Sequence, residues 1–346
     1  MAVPIRVLIV DDSSLARAML RDMFESDAAF EVVAEAENGL VAVEAVQAHR
    51  PTLVTMDLEM PKMGGIEAIK EIMGRRPVPI LVVSSFADAR NAFAAVSHGA
   101  VDVIAKPDMT EEQVARFLDK ARLVASIRVI THMRGLRPAV AAPHPAPSAP
   151  VFAPAPSAPV FAIASSTGGP QALACILGAL PPSFASPIVI AQHVAPGFAA
   201  GMAEWLCTVS RLPVVLAVAG EVIAPGKVYL SPSESHMSVS PEGRIGLAPV
   251  RDADIYRPSC DILLGSVAAA FGARGIGIIL TGMGKDGAKG LGAIKAAKGV
   301  TLAQDEASSV VFGMNKVAID AGHAGSVLAV EDMAAAMIRL AGGGRA

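Results

Sequence analysis

The sequence predicts an α/β protein of two domains, and three observations carry the prediction. Apolar strand-like segments alternate with helix-like segments over residues 1–130. A stretch built almost entirely of Pro, Ala, Ser and Val follows. Beyond it the alternation resumes. Five strands alternating with five helices predict a doubly wound, mostly parallel sheet with helices on both faces. The expected boundaries are 1–130 for the first domain, 131–159 for a linker and 160–346 for the second domain.

The first strand is Arg6–Val10. Ser13 or Ser14 then caps a helix whose apolar face includes Leu15, Met19 and Met23. Strand Glu31–Glu35, helix Gly39–His49, strand Leu53–Met56 and helix Gly65–Gly74 follow. Strand Ile80–Val83, helix Asp88–Ser97, strand Val101–Ala105 and helix Glu111–Ile130 complete the set. Residues 136–161 hold a direct repeat, APSAPVFA at 146–153 and again at 155–162. Proline removes donors from helix and ladder alike, so this segment is expected to be an extended, semi-rigid linker. The second half predicts strand Phe161–Ala164, helix Pro170–Leu180, strand Ile188–Gln192 and helix Phe198–Val209. Short strands and turns over 213–248 read as an antiparallel excursion. Helix Cys260–Phe271, strand Ile276–Leu280, helix Ala288–Ala297, strand Val300–Ala303 and a terminal helix Met333–Leu340 close the chain.

Composition bounds the function. A chain of 346 residues, 53% of them apolar, can bury a core in each half. With one Trp and two Tyr, those cores must be aliphatic. A net charge of −3 argues against a nucleic-acid partner, which calls for a basic face. Cys175, Cys207 and Cys260 are odd in number and lack close metal-ligand spacing, as expected of buried thiols in a reducing compartment. Arg6, Asp11 and Asp12 interrupt the early apolar run, so no secretory signal is read there. No uncharged apolar run reaches membrane-spanning length. The expectation is a cytoplasmic protein that is not membrane-embedded.

Ligands of an open parallel sheet bind beyond the carboxyl ends of its strands. In the first half those ends carry Asp11-Asp12, Asp57, Ser84 and Lys106. Crowded carboxylates repel one another unless a cation lies among them, and an all-oxygen set suits Mg²⁺. Asp57 can then act as nucleophile toward a phosphoryl group, giving an acyl phosphate. Lys106 pairs with the phosphoryl charge and Ser84 hydrogen-bonds it. Each residue singly is also a common cap or turn former; the signal is the set. It resembles the flavodoxin-like receiver domain of bacterial response regulators over about residues 4–125. The resemblance implies that a histidine kinase phosphorylates Asp57. It implies that Asp11, Asp12 and Asp57, with the backbone carbonyl of Glu59, hold Mg²⁺. One departure is Val103, where many receivers carry an aromatic switch residue.

In the second half, Ala162–Pro170 passes from strand to helix through Ser165-Ser166-Thr167-Gly168-Gly169, the shape of a nucleophile elbow. Amides at the helix start point toward a developing oxyanion. The same residues also suit a phosphate loop or a plain helix cap. Strand Ile188–Gln192 ends in His193, and strand Ile276–Leu280 leads into Thr-Gly-Met-Gly-Lys-Asp-Gly at 281–287. In one parallel sheet, Ser166, His193 and Asp286 would emerge at the same edge as nucleophile, base and orienting carboxylate. His236 competes as base. Asp252, Asp254 and Asp261 compete as carboxylate. The chain order Ser, His, Asp differs from the Ser, Asp, His of α/β-hydrolases, so a different fold is expected.

These stretches, with Gln192-His193, Pro196-Gly197-Phe198, Arg257-Pro258-Ser259, Gln304–Ser308 and Val311–Met314, resemble the catalytic domain of the chemotaxis protein-glutamate methylesterase (CheB) family. Ala164 departs from the glycine usual there, and Lys285 stands at a position the family varies. The resemblance implies an α/β methylesterase domain with a mostly parallel sheet. Its implied reaction is hydrolysis of receptor glutamate methyl esters and deamidation of receptor glutamines by Ser166, His193 and Asp286, with backbone amides near Thr167 and Met283 as the oxyanion site. It implies no metal in that step. Its implied partners are a chemotaxis-type histidine kinase as phosphodonor and methyl-accepting chemoreceptors as substrate. It also implies that the unphosphorylated receiver covers the active-site edge. Two other readings fit the residues: a receiver-regulated partner-binding protein, and a hydrolase of another protein ester or amide.

Overall fold

A computed structural model describes residues 3–85, 89–127, 158–251 and 253–343. Most of the expected linker, and Asp252, lie outside the described residues. The chain divides into two compact units, Met1–Leu136 and Arg137–Ala346.

In the first unit the strands are β1 (Ile5–Val10), β2 (Phe30–Ala36), β3 (Leu53–Met56), β4 (Ile80–Ser84) and β5 (Asp102–Ala105). They form a parallel sheet in the order β2-β1-β3-β4-β5. β3 and β4 are buried along their whole length, which explains why they read as continuous apolar runs rather than alternating ones. The helices are α1 (Ser14–Glu25), α2 (Gly39–His49), α3 (Gly65–Arg75), α4 (Ala89–Ser97) and α5 (Glu111–Ala125). Ser13 is the cap of α1, its Oγ accepting from the Ala16 amide at 3.3 Å. Asn38 caps α2 in the same way, through the Val41 amide. Two expectations need correction. Leu15 is not on the buried face of α1: it is 70% exposed, and Leu20, Met23 and Phe24 make the core contact. α5 ends at Ala125, where the Ser126 amide turns back onto the last carbonyls of the helix; residues 128–130 of the expected helix lie outside the described residues.

In the second unit β6 (Val160–Ser165), β7 (Ile188–Gln192), β8 (Val214–Leu216), β9 (Val228–Leu230), β12 (Gly275–Ile279), β13 (Val300–Gln304) and β14 (Ser326–Leu328) form one parallel sheet. Its order is β14-β13-β12-β6-β7-β9-β8. The antiparallel excursion is the hairpin β10 (Ser235–Val239) and β11 (Ile245–Pro249), with one isolated antiparallel bridge between Val222 and Arg244; β8 and β9 belong to the parallel sheet instead. The helices are α6 (Gly169–Ala179), α7 (Ala199–Val209), α8 (Cys260–Phe271), α9 (Ala288–Ala296), α10 (Met314–Asp320) and α11 (Val330–Ala341). α10 and β14 were not expected from the sequence. β6 lies at the centre of the sheet between β12 and β7, and every one of its residues is buried. This places the carboxyl ends of three adjacent parallel strands side by side.

Candidate active site

The residues singled out from the sequence lie beyond those three strand ends, Ser166 and His193 directly and Asp286 seven residues on. β6 passes through Ser165 into Ser166, β7 ends one residue before His193, and β12 leads through Thr281 toward Asp286. Register locks the first pair, since Ser165 lies opposite Gln192 and the His193 amide donates to the Ser165 carbonyl at 3.0 Å. The third strand is tied in by the Ser166 amide, which donates to the Thr281 carbonyl at 3.1 Å. The serine's own N–H is therefore engaged inward.

His193 and Asp286 meet directly. His193 Nε2 lies 2.8 Å from Asp286 Oδ2. The aspartate is almost wholly buried, and three further donors converge on it. The Cys260 amide reaches Oδ2 at 2.6 Å, and the Asp261 amide reaches Oδ1 at 3.0 Å. Ser259 Oγ reaches Oδ1 at 3.2 Å. These donors are the N-terminal end of α8, where free amides and the helix dipole both favour an anion. Burial alone would push the Asp286 carboxyl up. The hydrogen bond and charge of His193, with the Cys260 and Asp261 amides, outweigh it and hold the group below the ordinary carboxylate range. The other face of the imidazole stacks on Tyr256, ring centroids 5.3 Å apart and planes 14° from parallel. Left-handed glycines flank the aspartate, Gly284 at φ 95° and Gly287 at φ 88°, letting the loop turn twice within four residues.

The competing residues that the structure describes, His236, Asp254 and Asp261, are engaged elsewhere. His236 lies within β10, its Nε2 3.0 Å from Asp254 and its Nδ1 accepting from the Ser259 amide at 2.9 Å. That pairing also removes Asp254. Asp261 accepts from the Gly290 amide at 2.8 Å, bracing α8 against α9. Of the two residues expected at the oxyanion site, Thr167 is buried, and its carbonyl accepts from Thr281 Oγ1 at 2.9 Å. Met283 is 53% exposed and follows Gly282, whose amide donates to the Val311 carbonyl at 3.0 Å.

The first unit gathers its own group. Oxygen atoms of Asp11, Asp12 and Asp57 can all lie within 4.8 Å of one another. Lys106 Nζ reaches across from the end of β5, 2.8 Å from Asp11 Oδ2 and 3.0 Å from Asp57 Oδ2. Burial raises the Asp57 carboxyl above its usual range; Lys106 opposes the rise and the Asp11 charge adds to it. Burial would lower the Lys106 ammonium, but Asp11 and Asp57 raise it. Ser84 Oγ, at the end of β4, is buried without a hydrogen-bond partner among the described residues. Glu59 is exposed two residues beyond Asp57. Three clustered carboxylates with only oxygen donors, one ammonium and one spare hydroxyl fit a hard divalent cation and an incoming phosphoryl group.

The second unit matches the family described as CheB methylesterase over residues 161–337. The chain belongs to the CheB methylesterase family. Residues 7–117 match the response regulator receiver domain. The chain is similar along almost its whole length to protein-glutamate methylesterase/protein-glutamine glutaminase 3 of Paramagnetospirillum magneticum, 55% identical over 342 residues that cover 98% of this chain and 96% of that one. A relative named protein-glutamate methylesterase/protein-glutamine glutaminase 2, from Anaeromyxobacter dehalogenans, is 43% identical and covers 97% of each chain. The crystal structure of the Thermotoga maritima CheB methylesterase catalytic domain superposes with a TM-score of 0.51 at 38% identity, covering 53% of this chain and 99% of that one.

Within this CheB-family site, sequence reasoning missed the aspartate's supports. Ser259 and Cys260 were read only as matching residues and as a small buried hydrophobe. The available signal was Ser259 as a helix cap with Asp261 in the first turn, which announces a helix start but not what it faces.

The carboxylate's four donors predict a large effect of removing it. Asp286→Ala should destabilise the second unit by about 3 kcal/mol at pH 7, read by urea unfolding. A carboxyl held low contributes stability that is present above its unfolded pKa and lost as pH falls through its folded one. The gap between variant and parent should therefore narrow in acid; a gap independent of pH would contradict the charge-based account.

Proposed function

We propose that the chain is a phosphorylation-controlled serine hydrolase that cleaves glutamate methyl esters, and deamidates glutamines, on methyl-accepting chemoreceptors during chemotaxis adaptation. One observation carries the reading: three adjacent parallel strands lead to Ser166, His193 and a buried Asp286 that is hydrogen-bonded to His193, all at one sheet edge. Because Asp286 occupies Nε2, the nitrogen left for Ser166 is Nδ1, the reverse of the assignment in the chymotrypsin triad. Ser166 Oγ attacks the ester carbonyl carbon while Nδ1 takes its proton. The same proton is returned to the departing methoxide, releasing methanol and leaving an acyl-enzyme. Water, deprotonated by the same nitrogen, releases the glutamate carboxylate and restores the serine. With a glutamine substrate, ammonia leaves in place of methanol. Thr167 and Met283 are assigned the backbone amides that face the oxyanion.

Control is assigned to Asp57, phosphorylated by a chemotaxis-type histidine kinase. Mg²⁺ would be held by Asp11, Asp12 and Asp57 with the Glu59 carbonyl, and would supply the positive charge that lets a phosphoryl group approach the acidic cluster. Lys106 and the unpartnered Ser84 hydroxyl hold the phosphoryl oxygens. Among the described residues no helix is long and apolar enough to cross a membrane. The reading assigns the enzyme to the cytoplasm.

Methylated receptor membranes test the catalytic assignment. The parent should release methanol, faster with a small-molecule phosphodonor. Ser166→Ala should reduce release by at least about 10³-fold, and Asp57→Asn should remove the phosphodonor effect while leaving basal release. Release by a folded Ser166→Ala variant at the parent rate would sink the assignment. The receiver gives a second test. A carboxyl whose folded pKa is raised contributes stability below its unfolded pKa that is lost as pH rises through the folded one, so ionised Asp57 costs stability near neutrality. In EDTA at pH 7, Asp57→Asn should raise the Tm of the receiver transition. Added Mg²⁺ should raise the parent's Tm and affect the variant less. An unchanged Tm in Asp57→Asn would contradict the buried-charge account.

A further inference from the structure

Gln192 is the last residue of β7, buried and directly before His193, and nothing in the reaction above uses it. Its side-chain amide is fully engaged. Nε2 donates to the Ser166 carbonyl at 2.8 Å and to the His193 carbonyl at 2.8 Å. Oε1 accepts from Ser165 Oγ at 2.6 Å. Both amide hydrogens are spent on the two catalytic residues' own carbonyls. A flipped amide would set Oε1 against those two carbonyl oxygens, so its orientation is determined by its partners. Room for it is also specific. A Cβ at Gly169 would lie 2.0 Å from Gln192 Oε1, so the first residue of α6 must be glycine for the amide to pass beneath the helix.

We infer that Gln192 is a positioning residue that clasps Ser166 and His193 together through one amide. The inference rests on the esterase reading and deepens it. The nucleophile and the base come from different strands, and backbone pairing between β6 and β7 ends with the His193 amide on the Ser165 carbonyl. Past that point the two strand ends diverge into separate loops, α6 on one side and the 194–198 turn on the other. The Gln192 amide bonds across the divergence. It holds the carbonyl of each reacting residue on one nitrogen, where two independent loops would otherwise set the Ser–His separation. A displacement of about 1 Å between such partners can cost about 10²-fold in rate.

An equivalent clasp lies on the other side of the nucleophile. Gln304, the last residue of β13, accepts from the Thr281 amide at 2.9 Å and donates to the Ser308 carbonyl at 2.8 Å. Thr281 in turn binds the Thr167 carbonyl and accepts the Ser166 amide. The elbow is thus held from both neighbouring directions, but only Gln192 touches both the serine and the histidine.

The test uses the full chain. Gln192→Met preserves length and removes all three hydrogen bonds; Ser165→Ala removes only the donor to Oε1. Each is followed by urea unfolding, by kcat and KM for methanol release from receptor membranes, and by the rate at which a small fluorophosphonate labels Ser166 without receptor. For Gln192→Met the labelling rate and kcat should fall together by about 30-fold, with KM within about twofold of the parent's. Ser165→Ala should lose about fivefold in the same two rates. A folded Gln192→Met variant that labels at the parent rate, or one that loses only KM, would overturn the inference. If Gln192→Met does not fold, Ser165→Ala decides, and full labelling in that variant overturns it. A parent whose Ser166 is not labelled at all would instead overturn the esterase reading itself.

Discussion

The catalytic unit depends on a single buried carboxylate. Asp286 would be costly in its apolar surroundings without partners, and it has four: an imidazole, two helix-start amides and a hydroxyl. The imidazole comes from the end of β7, and the other three come from consecutive residues, 259–261, at the start of α8. Satisfying the charge therefore draws the end of β7, the start of α8 and the loop after β12 to one point. The structural requirement and the chemical one coincide, because the donor from β7 is His193. A site held in this way needs no rearrangement to orient its base.

The two units apply the same rule to different chemistry. Parallel sheets place the first residue beyond each strand on a common edge, and both units put their polar residues there. In the first unit the edge collects carboxylates, an ammonium and a spare hydroxyl, a set made for a cation and a phosphoryl group. In the second it collects a hydroxyl, an imidazole and one carboxylate. The difference lies in charge balance. Asp57 is raised because burial and Asp11 outweigh its partner Lys106, whereas Asp286 is lowered because its donors outweigh burial. A raised, underpaired carboxylate is poised to change state, and a lowered one is poised to stay ionised.

Much of this was legible in the sequence because strand ends are. β3, β4, β6 and β7 are short apolar runs, and the residue where each run stops marks the edge, so Asp57, Ser84, Ser166 and His193 could be named directly. Asp286 required the further step of following β12 through a glycine-rich loop. His193 was preferred over His236 because an apolar strand delivers it directly to the edge; His236 lies within β10, where it pairs with Asp254 and the Ser259 amide. Leu15 was assigned to the wrong face because helical spacing alone does not say which apolar residues meet the sheet. β14 and α10 escaped because three half-exposed residues and a seven-residue helix carry too little periodicity. Ser259, Cys260 and Gln192 were invisible as parts of the site because their roles are hydrogen bonds to residues 25 or more positions away.

The central claim is that Asp286 fixes which nitrogen of His193 carries the proton, leaving Nδ1 as the base. Nitrogen NMR of histidine-labelled protein reports this tautomer directly, with the His193 signal assigned by its loss in His193→Gln. At pH 8 the account predicts the Nε2–H form, and a mixture of both tautomers in Asp286→Ala. A predominant Nδ1–H form in the parent would contradict it.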